Sequence, residues 1–310
     1  MGNYLVTGGA GFIGSALSRE LIQTGNSLTV VDNLSTGFED NIPPEAEFVH
    51  GDCQVRNTYS RLTSLKFDAI FHLAAQSSGE ISFDDPIYDL QTNTQSTLVL
   101  LELAKEIGCT RFLFSSSMSV YGDQPHEPIG ESSTCNPISF YGVGKLASEH
   151  YLNIYSGYGI DSTVLRLFNV YGPGQNMENL RQGMVSIYLA QAIRNKKIEV
   201  KGSPDRFRDF VFIDDVIDAF IRLEHSNNSF GSTYNIASGT KTRVRKLLSK
   251  LCEILCFEGL IEYSDGTPGD QHGIYADISR IKNDIEWEPR VNLDQGLSLM
   301  ARWASETVID

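Results

Sequence analysis

The chain has 310 residues, of which 41% are hydrophobic and 21% charged; 25 basic against 39 acidic side chains leave it at −14, with a pI near 4.9. Such a composition can bury a large core and excludes disorder, collagen and coiled coil. The acidic balance argues against nucleic acid as a partner, since a phosphate backbone needs a basic surface. No run nears the ~18 apolar residues of a membrane span, so no membrane partner is expected.

The chain opens on a strand-like Asn3–Thr7 with no basic segment before it, so no signal peptide is expected. Further apolar runs at 28–32, 47–50, 68–72 and 111–115 suit buried parallel strands. Helical stretches are expected between them at about 11–24, 57–65 and 89–107, which is the rhythm of βαβ units. Tyr171-Gly-Pro-Gly-Gln175 breaks this rhythm. Beyond it, helices are expected at roughly 178–195, 214–224, 242–256 and 293–305, with strands at 210–213 and 233–236. Asp214 or Asp215 can cap the second of these helices, with Ile217, Phe220 and Ile221 as its buried stripe. In the third, Leu247, Leu248, Leu251, Ile254 and Leu255 share one face.

The expected fold class is α/β: a Rossmann-type doubly wound parallel sheet over 1–170, to which 210–236 returns. A smaller mixed α/β C-terminal substrate lobe would span 171–310. Five cysteines, with no Cys-x-x-Cys pair, suit reduced thiols and a cytoplasmic location. Cys252 and Cys256 read as buried core thiols, and the scattered histidines offer no metal site.

Three local patterns carry chemistry. Gly8, Gly11 and Gly14 are spaced G-x-x-G-x-x-G around Phe12 and Ile13, between the first strand and the first helix. Such glycines let the chain turn tightly, let a pyrophosphate approach the amides and let helix and strand pack closely. Asp32, 18 residues after Gly14, can accept both ribose hydroxyls of an adenosine and would repel a 2′-phosphate. No arginine follows in Asn33-Leu-Ser-Thr-Gly-Phe38, so NAD is favoured over NADP. Asp52 and Cys53 follow the third strand and can meet the adenine edge. Ser117 ends the fifth strand, and Tyr141 and Lys145 sit four apart on one face of a helix start. A neighbouring ammonium and a positive nicotinamide are expected to lower the tyrosine pKa so that it can act as a base, with Ser117 bonding the same substrate oxygen.

The chain resembles the extended short-chain dehydrogenase/reductase family, and within it the nucleotide-sugar epimerases. The resemblance spans nearly the whole length. It includes His72-Leu-Ala-Ala75, Ser115-Ser-Ser-Met-Ser-Val-Tyr-Gly122, Arg166-Leu-Phe-Asn-Val-Tyr-Gly-Pro173, Arg208-Asp-Phe-Val-Phe-Ile-Asp-Asp215 and Pro268-Gly-Asp270. It implies an NAD path along the glycine turn, the Asn33, Ser35, Thr36 and Gly37 loop, and Leu73, Ala74, Ala75, Gln76 and Ser115. Asn93 would support the cofactor and the active-site helix, and Phe168 and Val170 would flank the nicotinamide. Asn169 and Arg208 would hold the diphosphate of a nucleotide sugar, most simply a UDP-hexose, and Asp270 would be a further substrate-binding residue. Relatives pair through two helices per subunit; here these are about 89–107 and 141–157, with Leu98, Leu101 and Leu152 as the apolar surface of a homodimer or, equally, part of the subunit core.

Sugar-nucleotide dehydratases carry Asp-Glu after the catalytic hydroxyl, and glucuronate decarboxylases carry Glu at the second position. Met118 and Ser119 stand there and cannot do that proton work. The expected activity is therefore redox 4-epimerisation with Ser117, Tyr141, Lys145 and NAD. The alternatives are a reductase of a nucleotide 4-keto sugar and a non-catalytic NAD-binding protein. Thr267 and His272 replace two phosphate-binding arginines of relatives. Arg181 is read as an exposed helix charge, with compensation for those arginines as the other reading.

Overall fold

The computed structural model describes residues 1–124, 128–266 and 271–308. The chain begins with β1 (Asn3–Thr7), α1 (Phe12–Gln23), β2 (Ser27–Asp32), β3 (Glu47–His50) and β4 (Ala69–His72). Next come α2 (Gly79–Asp84), α3 (Pro86–Leu90) and α4 (Ser96–Ile107), then β5 (Arg111–Ser117), α5 (Phe140–Tyr155) and β6 (Asp161–Leu167). The remainder runs β7 (Asn169–Tyr171), α6 (Met184–Asn195), β8 (Lys197–Lys201), β9 (Phe207–Arg208), β10 (Phe210–Phe212), α7 (Ile213–His225) and β11 (Ser232–Ile236). It closes with β12 (Thr242–Arg243), α8 (Val244–Ile254), β13 (Leu260–Ser264), α9 (Ser279–Ile285) and α10 (Leu293–Val308).

Seven strands form one parallel sheet in the order β11-β6-β5-β4-β1-β2-β3. β2 and β3 step to one side of β1, and β4 starts the steps to the other. A crevice therefore opens beyond the carboxyl ends of β1 and β4, where such folds place their ligands. Alternate side chains feed two cores. Tyr4, Val6 and Val30 join a cluster with α1, α6, α7, α8 and α10 on one face. Leu5, Val31, Ile70 and Phe112 join Leu100, Leu101 and Leu152 on the other. Both faces are thus covered, which is why these strands read as continuous apolar runs. No helix among the described residues is long and apolar enough to cross a membrane.

Several expectations need correction. Instead of a helix over 57–65, a single 3-10 turn spans Arg56–Tyr59 and further turns follow. Tyr59 and Leu62 are both fully buried, a spacing that turns satisfy as well as a helix does. The helix expected at 89–107 is split into α3, a π-helical turn at Gln91–Gln95, and α4. The helix expected from 178 starts only at Met184. Asn176 and Asn179 accept hydrogen bonds from the backbone N–H groups of Glu178 and Arg181, closing local turns that compete with helix, and Gly183 takes φ +87°. Neither Asp214 nor Asp215 caps α7; Asp215 instead accepts from the N–H groups of Arg290 and Val291 at 2.8 and 3.1 Å. Cys256 lies past the end of α8 and is exposed, and Cys252 is half-buried. Of the 210–236 segment, β10 pairs with β7 outside the main sheet, whereas β11 joins that sheet beside β6. Leu101 and Leu152 belong to the subunit core, and Leu98 is half-buried.

Candidate active site

The glycine turn bridges β1 and α1. Gly8 takes φ +74°, and a Cβ there would stand 2.6 Å from the Ala74 nitrogen. A Cβ on Gly14 would stand 2.0 Å from the Gly8 carbonyl oxygen, so only glycine lets helix and turn pack this closely. Gly11 stands at the N-cap of α1 and offers no side-chain cap, and the first residues of the helix line the cleft. Its leading N–H groups and positive dipole end therefore suit an anion. Asp32 ends β2; its two oxygens accept from the N–H groups of Ala10 (3.0 Å) and Leu34 (2.8 Å), locking the turn to the next loop. Asn33 donates to Asp52, and Ser35 N–H donates to Asn33 Oδ1 at 3.0 Å. Burial pushes the Cys53 thiol up to about 12, so it packs as an inert group.

β5 delivers Ser117, whose Oγ accepts from the Ser119 N–H at 3.2 Å. Ser139 Oγ accepts from the Gly142 N–H at 3.1 Å, so α5 starts at Phe140. Tyr141 falls in its first turn and Lys145 one turn later. Lys145 is 1% exposed and donates to the Ser115 carbonyl at 2.9 Å. Its Nζ lies 4.8 Å from the Phe114 ring centroid and 5.9 Å from that of Tyr141. Burial lowers Lys145 to about 7, against the pull of Asp89 and Glu149. Burial likewise raises Tyr141 to about 12, with the Ser117 hydroxyl pulling down and Asp89 pushing up. The expected lowering of the tyrosine by its lysine is thus overturned for the chain's own groups, because desolvation of the phenolate is the larger effect.

Beneath this pair His72 bonds Thr7 Oγ1 at 2.7 Å and Thr97 Oγ1 at 3.2 Å. Burial, aided by Lys145, holds its pKa well below the usual value, so the ring is neutral.

One cleft of about 360 Å³ gathers the glycine turn, Asp32, Asn33, Ser35, Thr36, Asp52, Cys53, Leu73, Ala74, Ala75, Ser115, Ser117, Tyr141, Lys145, Phe168, Asn169 and Val170. Other expected residues stand off its wall. A Cβ on Gly37 would meet the Ala10 carbonyl carbon at 2.6 Å, so this glycine serves close packing. Gln76 and Asn93 are buried behind the wall, bonded to each other and to Asp89. Arg208 is 4% exposed and donates to the carbonyls of Phe207 and Gln271, each at 2.8 Å. Thr267 and Asp270 lie outside the described residues. Arg181 is on a loop, not a helix, and pairs with Glu80 at 3.3 Å and Asp84 at 2.6 Å.

The sequence pattern missed Thr92, Ser119, Gln175, Asn179 and Gln182, which also line the cleft. Their only signal was polarity in loops and at the π-helical turn, without any period. Thr92 Oγ1 and Gln175 Oε1 are buried there with no hydrogen-bond partner. Buried polar atoms of that kind ordinarily meet a ligand or water. Glycine cradle, uncapped helix start and orphaned polar atoms together fit a dinucleotide.

Residues 4–237 match the model of the NAD dependent epimerase/dehydratase family. A UDP-glucose 4-epimerase of Mycolicibacterium smegmatis is 34% identical over 301 residues, covering 95% of this chain and 96% of that protein. UDP-glucuronic acid decarboxylase 1 of Arabidopsis thaliana is 32% identical over 307 residues, covering 96% and 68%. The crystal structure of UDP-glucose 4-epimerase from Thermotoga maritima, solved with UDP-glucose, superposes with a TM-score of 0.95 at 36% identity, covering 99% of each chain. Matched over residues 4–237 by the family model, and by relatives above 30% identity along nearly its whole length, the chain belongs to the NAD-dependent epimerase/dehydratase family.

Proposed function

We propose that this protein is an NAD-dependent epimerase that inverts C4 of a nucleotide-diphosphate hexose, a UDP-hexose, through a transient 4-keto sugar. The observation that carries this reading is the composition of one wall of the cleft. Ser117, Tyr141 and Lys145 stand there with Met118 and Ser119 beside them. The wall therefore holds a redox set and, at positions 118 and 119, no carboxylate for elimination. The decarboxylase relative is similar over nearly the whole chain, but Ser119 lacks the acid that the resemblance leads one to expect in such enzymes.

NAD, when bound, supplies the oxidant that accepts hydride from C4 and returns it to the opposite face. Tyr141 Oη takes the proton of the sugar O4 hydroxyl and later gives one back, and because the hydride also returns to C4 no net redox occurs. Ser117 Oγ bridges Tyr141 and O4. Lys145, anchored on the Ser115 carbonyl, holds a positive charge beside the phenol and would grip the nicotinamide ribose of bound NAD. Asn169 and Arg208 hold the diphosphate while the keto sugar turns over, with Asp270 as a further substrate-binding residue; the buried charge of Arg208, fixed by carbonyls, supports the diphosphate role.

In this reading residues 1–170 with 210–236 serve the cofactor and 171–310 the sugar nucleotide. The protein works in the cytoplasm as a homodimer, paired through α3, α4 and α5. Ile87, Leu90 and Ile154 on those helices are 63%, 52% and 59% exposed, an apolar surface that pairing would cover.

Incubation with UDP-, CDP-, dTDP- and GDP-hexoses without added reductant, followed by NMR of the products, tests the function. The C4 epimer of a UDP-hexose is expected. Carbon dioxide release from UDP-glucuronate, or an accumulating dehydrated keto sugar, without epimerisation would overturn it.

A further inference from the structure

α3 brings a carboxylate to the back of the Tyr141–Lys145 pair. Asp89 is 1% exposed, and its Oδ1 accepts from Gln76 Nε2 at 2.8 Å and Asn93 Nδ2 at 3.0 Å. Both donors are fixed: Ser78 N–H donates to Gln76 Oε1 at 2.6 Å, and Asn93 Nδ2 also donates to the Gln76 carbonyl at 3.0 Å. The π-helical turn that follows docks this segment on α5. Thr94 Oγ1 donates to the Gly144 carbonyl at 3.2 Å, and Ser148 Oγ donates to the Asn93 carbonyl at 3.0 Å. Asp89 Oδ2 faces the same helix, 3.6 Å from where a Cβ on Gly144 would stand, and accepts no hydrogen bond among the described residues. Lys145 is the next residue along.

Among the described residues two carboxylates act on Lys145, Asp89 and Glu149. On α5, Tyr141 is neutral and Glu149 is already engaged: Arg166 of β6 grips it with two nitrogens, at 3.0 and 2.7 Å, and Ser116 Oγ of β5 donates to it at 2.5 Å. From β4, His72 is neutral. β5 offers the Phe114 ring and the Ser115 carbonyl. α4 offers only the hydroxyls of Ser96 and Thr97, spent on His72. Of the two carboxylates, Asp89, packed against α5 at Gly144, is the one with no ion pair of its own among the described residues.

We propose that Asp89 is the counter-charge of Lys145, a positioning residue that keeps the buried ammonium protonated and so keeps a cation beside Tyr141. Gly144 leaves this pairing charge to charge: a serine there would bring a hydroxyl to Asp89 Oδ2. Burial raises Asp89 to about 6 and lowers Lys145 to about 7, so the chain's own groups set the window in which both are ionised. The proposal rests on the reading of Tyr141 and Lys145 as the reacting pair.

The test is NMR titration of the full protein carrying ¹³Cε-lysine and ¹³Cγ-aspartate, with Lys145→Met and Asp89→Asn assigning the signals. Asp89→Asn keeps an Oδ1 acceptor for Gln76 and Asn93 and removes only the charge. Its Lys145 midpoint is expected to fall by about 1 pH unit or more. The alkaline limb of kcat/KM should fall with it, which a merely structural residue would not move. Because coupling is reciprocal, Lys145→Met should raise the Asp89 midpoint by the same amount. That second arm decides the matter if Asp89→Asn does not fold. Midpoints that stay in place overturn the pairing. Coupled midpoints in a protein that epimerises no nucleotide hexose would uphold the pairing and overturn the proposed function.

Discussion

The Lys145 ammonium lies 5.9 Å from the centroid of the Tyr141 ring and spends its hydrogen bond on the Ser115 carbonyl, 2.9 Å away. The lysine is thus anchored at the end of β5, beside the tyrosine ring and with no hydrogen bond to it among the described residues. Burial dominates both groups, raising the phenol to about 12 and lowering the ammonium to about 7. At neutral pH the phenol carries its proton until further positive charge reaches it.

The same triad predicts a graded mutational series. Tyr141→Phe removes the proton carrier but little volume, so NAD should stay bound while turnover falls by at least ~100-fold, the usual scale for a general base. Ser117→Ala should cost less, and Lys145→Ala should weaken both turnover and cofactor affinity. Steady-state rates together with NAD titration check this. Near wild-type turnover in Tyr141→Phe would contradict the role of its hydroxyl.

Asp32 predicts the identity of the dinucleotide. Its carboxylate closes the Ala10 and Leu34 N–H groups and lines the cleft, a setting that accepts ribose hydroxyls and repels a 2′-phosphate. Protein denatured after purification should release NAD(H). Asp32→Ala should weaken NAD by about 10- to 100-fold, the scale of hydrogen bonds to a charged group. Release of mainly NADP(H) would contradict this.

His72 predicts a specific loss of stability in acid. The folded ring is held neutral, with its pKa far below that of the unfolded chain. Below about pH 6.5 the unfolded chain takes up the extra proton, so this contribution is lost as pH falls, by up to ~1.4 kcal/mol per pH unit. Asp89 works in the opposite direction, since burial raises it to about 6. Comparing wild type with His72→Asn in urea unfolding at several pH values isolates the histidine. The gap in stability should narrow or reverse as pH falls; parallel curves would contradict the buried neutral ring.

Much of the site was legible because its signals are local. The three glycines, Asp32 at a strand end, and Tyr141 with Lys145 one helical turn apart each follow from short-range geometry, and the cleft gathers all of them. What escaped depends on contacts distant in sequence. Asp89 reaches its helix partner Gly144 only through tertiary packing, and the π-helical turn beside it has no apolar signature. The 178–183 stretch has helical composition, but two asparagine turns and Gly183 divert it. Leu101 and Leu152 fit an interface stripe and a core equally by spacing; only burial assigns them to the core.

Assembly is predicted by the apolar residues left outside that core. Ile87, Leu90 and Ile154 stay exposed on α3 and α5. Sedimentation at micromolar concentration should show a dimer, and Ile154→Asp with Ile87→Asp should shift it toward monomer. A monomeric wild type would contradict pairing through these helices.

The most direct test of hydride leaving and returning to one carbon is a deuterium label at C4 of a UDP-hexose, followed by NMR as the epimers interconvert without added reductant. The expected result is interconversion with the deuterium kept on C4 of both epimers. Deuterium washed into solvent during interconversion would contradict the account.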